Sequence, residues 1–451
     1  MALWFERALL EDGWRDSVRV TLAGDTIADV APGAAPQPGD QCFGPALPGI
    51  PNVHSHGFQR GMAGLAERAG DDADSFWTWR EAMYRFVDRL DPEGFAAIAA
   101  LAYAEMLESG FTAVGEFHYL HHAPDGRAYA APARMAQAVV EAASETGIGL
   151  SLLPVFYAHS GFGGAPPSPS QRRFVHDCDS FARLIDGCRT AVSGLDGAVL
   201  GVAPHSLRAV TPDELADLAA LVPDGPIHIH VAEQQAEVDA CLAWSGRRPV
   251  AFLLDTIAID PRWCLVHATH VDDAELTGIA RSGAVVGLCP ITEANLGDGL
   301  FPARAFLEQG GRIGIGSDSN VEIDAAGELR LLEYGQRLAH GGRNLLAAGP
   351  GRSTGRNLYD AARTGGAQAL GRIRPAIAPG AVADIVALRA DAPALVARPG
   401  DALIDSWVFA GGRGVVESVW SRGRRCVSGG RHVARDAIAA RYRQTLGKLL
   451  D

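Results

Sequence analysis

Through the middle of the chain, short apolar runs alternate with longer stretches of helical spacing. The runs fall at residues 46–54, 112–120, 148–159, 198–207, 226–233, 263–270, 284–290 and 312–320, and polar residues gather where each one ends. Continuous apolar runs of this length read as strands buried on both faces, the habit of parallel sheets. Between them, 92–109, 127–146, 212–221 and 324–346 carry apolar residues at helical intervals. Asp91-Pro92-Glu93 and Thr211-Pro212-Asp213-Glu214 supply helix starts, each with a capping oxygen, a proline in the first turn and an acid. Eight such βα repeats predict an α/β fold, a closed (β/α)8 barrel of the TIM type. An open doubly wound sheet alternates in the same way, but no Gly-x-Gly-x-x-Gly follows the first run.

The two ends of the chain have another texture. Short β segments at 4–9, 17–22 and 26–30 are broken by Gly, Asp and Pro, and similar segments return at 383–388, 406–409 and 415–420. They predict a small β-sandwich domain assembled from both termini, 1–45 with 375–432, around a barrel at 46–374 and followed by a C-terminal helix at 433–451. A Gly/Pro/Ser-rich loop at 160–170 fits a cover over the barrel mouth. The Leu/Ala/Arg-rich stretch 323–340 suits an outer barrel helix and is also compatible with the face of a homodimer.

Composition narrows the chemistry. With 451 residues, 47% of them hydrophobic and 21% charged, a large core is available and wholesale disorder is excluded. The net charge of −13, with no basic run interleaved with aromatics, argues against a nucleic-acid partner. No stretch approaches the roughly 18 apolar residues of a membrane span, and the first ten residues, with Glu6 and Arg7 among them, do not read as an export signal. Seven cysteines without a Cys-x-x-Cys pair suit a reducing compartment, so a cytoplasmic location is expected. The sequence holds a single lysine, Lys448, three residues from its end. That removes a Schiff-base lysine, a P-loop lysine and a carbamylated lysine bridging two metals.

The strongest local signal is Pro48-Gly49-Ile50-Pro51-Asn52-Val53-His54-Ser55-His56-Gly57. Residues two apart on a strand face the same side, so His54 and His56 could offer two imidazoles to one ion. The pair alone is weak evidence, since a buried histidine usually just finds a hydrogen-bond partner. Its companions change the judgement: His228-Ile229-His230-Val231-Ala232-Glu233 ends the fifth run, His267 and His270 the sixth, and Gly316-Ser317-Asp318-Ser319-Asn320 the eighth. In a barrel these ends converge on one face. Three histidines and Asp318 make a nitrogen and oxygen set suited to Zn²⁺, one per chain, and the same set would take Fe²⁺ or Mn²⁺.

These residues resemble the amidohydrolase superfamily, whose likeness covers nearly the whole chain. The resemblance implies that His54, His56, His230 and Asp318 hold one metal, with Glu233 and His267 beside it as proton-transfer groups together with Asp318. His-x-x-Glu without a bridging lysine is similar to the mononuclear deaminase branch, and the lysine count agrees independently. Four further segments, His56-Gly57-Phe58-Gln59-Arg60-Gly61, Phe76-Trp77-Thr78-Trp79-Arg80, Gly115-Glu116-Phe117-His118-Tyr119 and Ala203-Pro204-His205-Ser206-Leu207-Arg208, resemble the formimidoylglutamate deiminases. That likeness implies hydrolytic release of ammonia from a small formimino dicarboxylate, N-formimino-L-glutamate, in histidine degradation.

A dicarboxylate needs fixed cationic forks, and arginine binds carboxylates bidentately. Arg208 and Arg80 are the expected clamps, with Arg60 as a third candidate, while Gln59, Tyr119 and His205 are candidates for hydrogen bonds to the substrate. The alternative is a related metal-dependent deaminase of a nucleobase or other ring amine, which would need stacking and amide pairing instead. A non-catalytic barrel of the same fold would usually lack the metal ligands, and this chain retains all four.

Overall fold

Two sheets organise the chain in this computed structural model, which describes residues 1–68 and 76–450. Residues 69–75, inside the expected barrel, and Asp451, the last of the expected C-terminal segment, lie outside the described residues. The N-terminal segment supplies β1 (Ala2–Leu10), β2 (Gly13–Ala23), β3 (Thr26–Ala31), β4 (Gln41–Phe43) and β5 (Ala46–Pro48). The barrel follows with β6 (Ile50–Ser55), β7 (Phe111–His118), β8 (Gly149–Phe156), β9 (Val199–Leu200), β10 (Ala203–Pro204), β11 (Ile227–Val231), β12 (Trp263–His267), β13 (Val285–Leu288) and β14 (Arg312–Ile315). The chain then returns to the first sheet through β15 (Ile385–Leu388), β16 (Val416–Ser421), β17 (Arg424–Ser428) and β18 (Arg431–His432).

The barrel strands pair in parallel in the order β10-β8-β7-β6-β14-β13-β12-β11, with β9 beside β8. Isolated parallel bridges, Val202 to Ile227 and Ser206 to His230, close the ring between its two ends. The fourth position differs from the single run expected at 198–207, being split into β9 and β10. At Gly201, between them, a Cβ would lie only 2.5 Å from the Pro226 carbonyl oxygen, an approach of backbones too close for a side chain. Val53, Cys264, Val266 and Val285 form a separate buried cluster inside the barrel, a packed floor beneath the strand ends. Gly314 belongs to that floor, since a Cβ there would come within 2.5 Å of Val53.

The small sheet runs β18-β17-β16-β15-β5-β1-β2-β3, with β4 against β1. Strands from both termini thus share one hydrogen-bonded sheet, and Leu3, Phe5, Val20, Ile385 and Trp420 meet in its apolar cluster. The first apolar run divides between the two sheets: β5 pairs with β1 and β15, and after Gly49 the chain enters the barrel as β6.

Helix α1 (Phe76–Val87) and helix α2 (Pro92–Ser109) fill the first excursion from the barrel. Asp91 caps α2 by accepting from Gly94 N at 2.7 Å, and Gly110 ends it at φ 102°. Helix Pro212–Leu221 starts with the reciprocal Thr211 and Glu214 capping box. The expected helix at 127–146 begins only at Arg134, just past Pro132, whose ring cannot enter a helix interior. Helix Ala325–His340 packs as an outer barrel helix through Leu329 and Leu332, leaving Leu338 86% exposed. Among the described residues no helix is long and apolar enough to cross a membrane.

Candidate active site at the barrel mouth

His54 lies on β6 and His56 just past it, so strand periodicity turns both rings the same way. His230 comes from β11, His267 from the end of β12, and Asp318 from the turn after β14. His56 Nδ1 lies 3.0 Å from the Phe117 carbonyl oxygen and His230 Nδ1 lies 3.1 Å from that of His205. A carbonyl oxygen only accepts, so both Nδ1 atoms carry the proton and each neutral ring presents an Nε2 lone pair. Both lone pairs face His54 Nε2, at 3.2 and 3.0 Å. Asp318 Oδ1 joins them, 3.5 Å from His54 Nε2 and 3.3 Å from His56 Nε2.

Lone pairs and a carboxylate converging over such distances make poor hydrogen-bond partners and a good donor set for a divalent cation. His54 Nδ1 is buried without a partner, so its ring is not held by a competing bond. Burial pushes the His54 imidazole down to about 3 and also lowers His56 and His230, which keeps the rings neutral, as ligation requires. These four residues could hold one ion.

The turns that aim these side chains are strained. Ala232, His267, Ala268, Asp318 and Asn320 all have positive φ, between 42° and 66°, without being glycine. A buried polar network holds the Asp318 turn against β6. Asn52 Nδ2 donates to Ser317 Oγ at 2.7 Å, Ser317 Oγ to Asn320 Oδ1 at 2.6 Å, and Asn320 Nδ2 reaches Ser55 Oγ and the His56 and Asp318 carbonyls at 3.0–3.1 Å. Asn52 and Asn320 sit inside the two motifs read from the sequence, yet only the fold shows that they brace one against the other.

His267 lies between carboxylates. Its Nδ1 is 3.1 Å from Glu293 Oε1, and its Nε2 is 3.7 Å from Asp318 Oδ2 and 3.9 Å from Glu233 Oε1. Burial opposes protonation of this ring, but Glu293, Glu233 and Asp318 outweigh it and raise the imidazole to about 10. Burial also acts to raise Asp318, but His54, His56 and His267 together hold its carboxyl below the usual range. Glu233 is pushed up to about 7 by burial, against the pull of His267 and Arg208. Asp298 rises to about 8, chiefly by burial and then by the nearby Glu233. Glu293 lies in the first turn of helix Pro290–Leu296, just past β13, which lets it reach His267.

Above this floor opens a cavity. Gln59, Arg80, Tyr119, His205 and Arg208 all line it, together with His56, His230, Glu233, His267 and Asp318. His54 lies beneath, fully buried. Gln59 Nε2 donates to Tyr119 Oη at 2.8 Å, leaving Gln59 Oε1 without a partner. Burial lowers His205 well below the ordinary imidazole value, so it acts as a neutral polar group. Arg80 and Arg208 flank one indole, their guanidinium carbons 4.4 and 5.9 Å from the Trp77 ring centroid. Arg60, the third arginine considered, turns away: it pairs with Glu105 at 2.6 Å and reaches the Asn320 and Val321 carbonyls. His228, which shares a face with His230, is spent on the Ala369 carbonyl at 2.6 Å.

The amidohydrolase family matches residues 46–426, and the N-terminal domain of formimidoylglutamate deiminase HutF matches residues 2–42. Formimidoylglutamate deiminase of Pseudomonas aeruginosa is 53% identical over 452 aligned residues, covering 100% of both chains. Among solved structures, an amidohydrolase from Brucella melitensis superposes with a TM-score of 0.97 at 53% identity, covering 100% of both chains. A zinc-bound adenosine deaminase from Xanthomonas campestris shares the fold, with a TM-score of 0.82 at 23% identity over 100% of this chain and 98% of its own. The barrel with its terminus-built sheet, the histidine and carboxylate centre and the match along the full length agree: this chain belongs to the amidohydrolase family and, within it, to the formimidoylglutamate deiminases.

Proposed function

We propose that this chain hydrolyses the formimino group of N-formimino-L-glutamate, releasing ammonia and leaving N-formyl-L-glutamate. The observation that carries the substrate is the pair of guanidinium groups beside one indole in the cavity that also holds the histidine and carboxylate centre. Two cations sharing a confined wall favour an anionic ligand, and a dicarboxylate brings one carboxylate for each. A neutral ring amine would bring no carboxylate to either guanidinium. The 53% identity to the Pseudomonas enzyme supports the same assignment.

We assign His54, His56, His230 and Asp318 as holding one divalent ion, with Zn²⁺ the ion that best suits three imidazoles and a carboxylate. Such an ion supplies Lewis acidity, which brings the pKa of a water toward neutrality. Arg208 and Arg80 fix the carboxylates, and Gln59, Tyr119 and neutral His205 orient the formimino end by hydrogen bonds. Asp318, kept ionised by its histidine neighbours, takes the proton of the attacking water at a carboxylate oxygen. Protonated His267, its Nδ1 bonded to Glu293, faces the reaction through Nε2 and steadies the negative charge that develops on oxygen. Glu233, raised to about 7, can still carry a proton near neutrality and delivers it to the departing nitrogen. Asp318 then passes the water proton to the same nitrogen, the hydroxyl left on the formimino carbon gives its proton back to the ionised Glu233, and the C–N bond breaks as ammonia leaves and the carbonyl forms, so that one water is consumed.

The test is ammonia release from N-formimino-L-glutamate measured beside cytosine, guanine, adenosine and N-formimino-L-aspartate. Turnover of the glutamate compound well above the others is expected. Turnover of a ring amine alone would keep the fold and overturn the substrate.

A further inference from the structure

Glu237 belongs to no part of the chemistry described so far, yet it touches two parts of it. It lies in the first turn of helix Gln235–Ser245 and is 2% exposed. One carboxylate oxygen, Oε1, accepts from Ala232 N at 3.2 Å. The other, Oε2, is buried without a hydrogen-bond partner and faces Arg208 Nε at 3.9 Å, which is also buried without one. The gap is about 1 Å longer than a hydrogen bond.

The reach to Ala232 is unusual. In a capping box, the acid three residues into a helix turns back to the N–H of the capping residue, here Gln234. Glu237 reaches two residues further, to Ala232, whose φ of 52° forms the strained turn before Glu233. The side chain of Gln234, free of capping duty, instead donates to Asp298. Glu233 is therefore bracketed by Glu237 on one side and the Gln234 to Asp298 bond on the other. The same Glu237 carboxylate is the ion-pair partner of Arg208, which lines the cavity and donates no hydrogen bond among the described residues.

We propose that Glu237 is a positioning residue that ties the Arg208 clamp to the turn carrying Glu233, so that a carboxylate bound at Arg208 sets the proton donor against the formimino nitrogen. This rests on the reaction proposed above. Its two oxygens have separable duties: Oε2 holds the guanidinium by charge, and Oε1 holds the turn by a hydrogen bond that a neutral amide can also accept.

Two variants separate these duties. Glu237→Gln keeps an acceptor for Ala232 N and loses the charge, so KM for N-formimino-L-glutamate rises ~10-fold or more while kcat stays within about threefold. Glu237→Ala loses both, so kcat also falls, by roughly tenfold or more. Metal content and unfolding midpoint are measured alongside. Wild-type KM in Glu237→Gln would overturn the link to Arg208, and identical constants in the two variants would reduce Glu237 to packing. If Glu237→Gln does not fold, Glu237→Asp replaces it, keeping the charge while shortening the reach: kcat should fall with KM near wild type, and the reverse would overturn the assignment. Glutarate affinity of the metal-loaded wild type and variant, measured by calorimetry, reports the clamp without turnover. A wild type inactive on formiminoglutamate but with Glu237-dependent glutarate binding would sink the proposed reaction and keep this link.

Discussion

His54, His56, His230 and Asp318 reach the cavity from the ends of barrel strands, whereas Arg80 arrives from helix α1 and Arg208 from the turn after the split fourth strand. The floor is braced by short buried hydrogen bonds between motif residues, such as Asn52 to Ser317 and Ser317 to Asn320. The wall is braced by aromatic faces and by charge, with two guanidinium groups near the Trp77 ring and Glu237 beside one of them. Strand ends of a closed barrel fix the chemistry in space, and the excursions around them choose what is held there. Changes to the metal-holding residues should therefore act on turnover and metal together, and changes to the guanidinium clamps should act chiefly on substrate affinity.

The largest effect is expected at Asp318. Asp318→Ala should lower kcat/KM by roughly 10³–10⁴-fold, with metal content falling in the same samples; a variant that kept both would break the distinction. Glu233→Gln should lower kcat by roughly 10²–10³-fold with metal retained. With Glu233 raised to about 7 and proposed to donate in its protonated form, the wild-type rate should fall as pH rises through that value, and the Gln variant should lack this limb.

Arg208→Met tests the wall. KM should rise ~10–100-fold with little change in kcat or metal, and a fall in kcat of the same size would mean that wall and floor are not separable.

A smaller effect lies behind the floor, where Glu116 accepts from Gly57 N at 2.7 Å. Burial lifts Glu116 from 4.5 to about 7, against that bond. The folded chain holds this proton more tightly than the unfolded one, so the contribution to stability is fully present below about 4.5 and is lost as pH rises through about 7. Glu116→Gln, neutral throughout, should match wild type at pH 5 and exceed it at pH 8 by on the order of 1–3 kcal/mol in thermal or denaturant unfolding. Equal stability at both values would remove the buried acid from the account. The smallest effect belongs to Arg60→Met: with Arg60 engaged by Glu105, KM should stay within about twofold, and a larger rise would return it to the wall.

The contrast also explains what the sequence could say. Each barrel strand is an apolar run with a polar end, so period-two spacing and convergence at the mouth point to His54, His56, His230, His267 and Asp318 as neighbours. The split at Gly201 escaped because it comes from a backbone approach across strands, which no local pattern records. On the wall, Arg60 and Arg80 look alike in sequence, each beside aromatic or polar neighbours. Only packing separates them: α1 carries Arg80 over the cavity, and the 3₁₀ turn Gly57–Met62 directs Arg60 outward to Glu105 on α2. Glu237 and Glu293 were hidden for a related reason, since an acid in the first turn of a helix is ordinarily a capping or dipole residue and its reach across the mouth depends on tertiary placement.

We propose one ion in the floor beneath a wall built for a dicarboxylate. The most direct measurement is to strip the protein with a chelator and titrate Zn²⁺ back while following ammonia release from N-formimino-L-glutamate. Activity should vanish on chelation and return to saturation at one equivalent per chain. Activity that survives removal of the metal, or that needs two equivalents, would contradict the account.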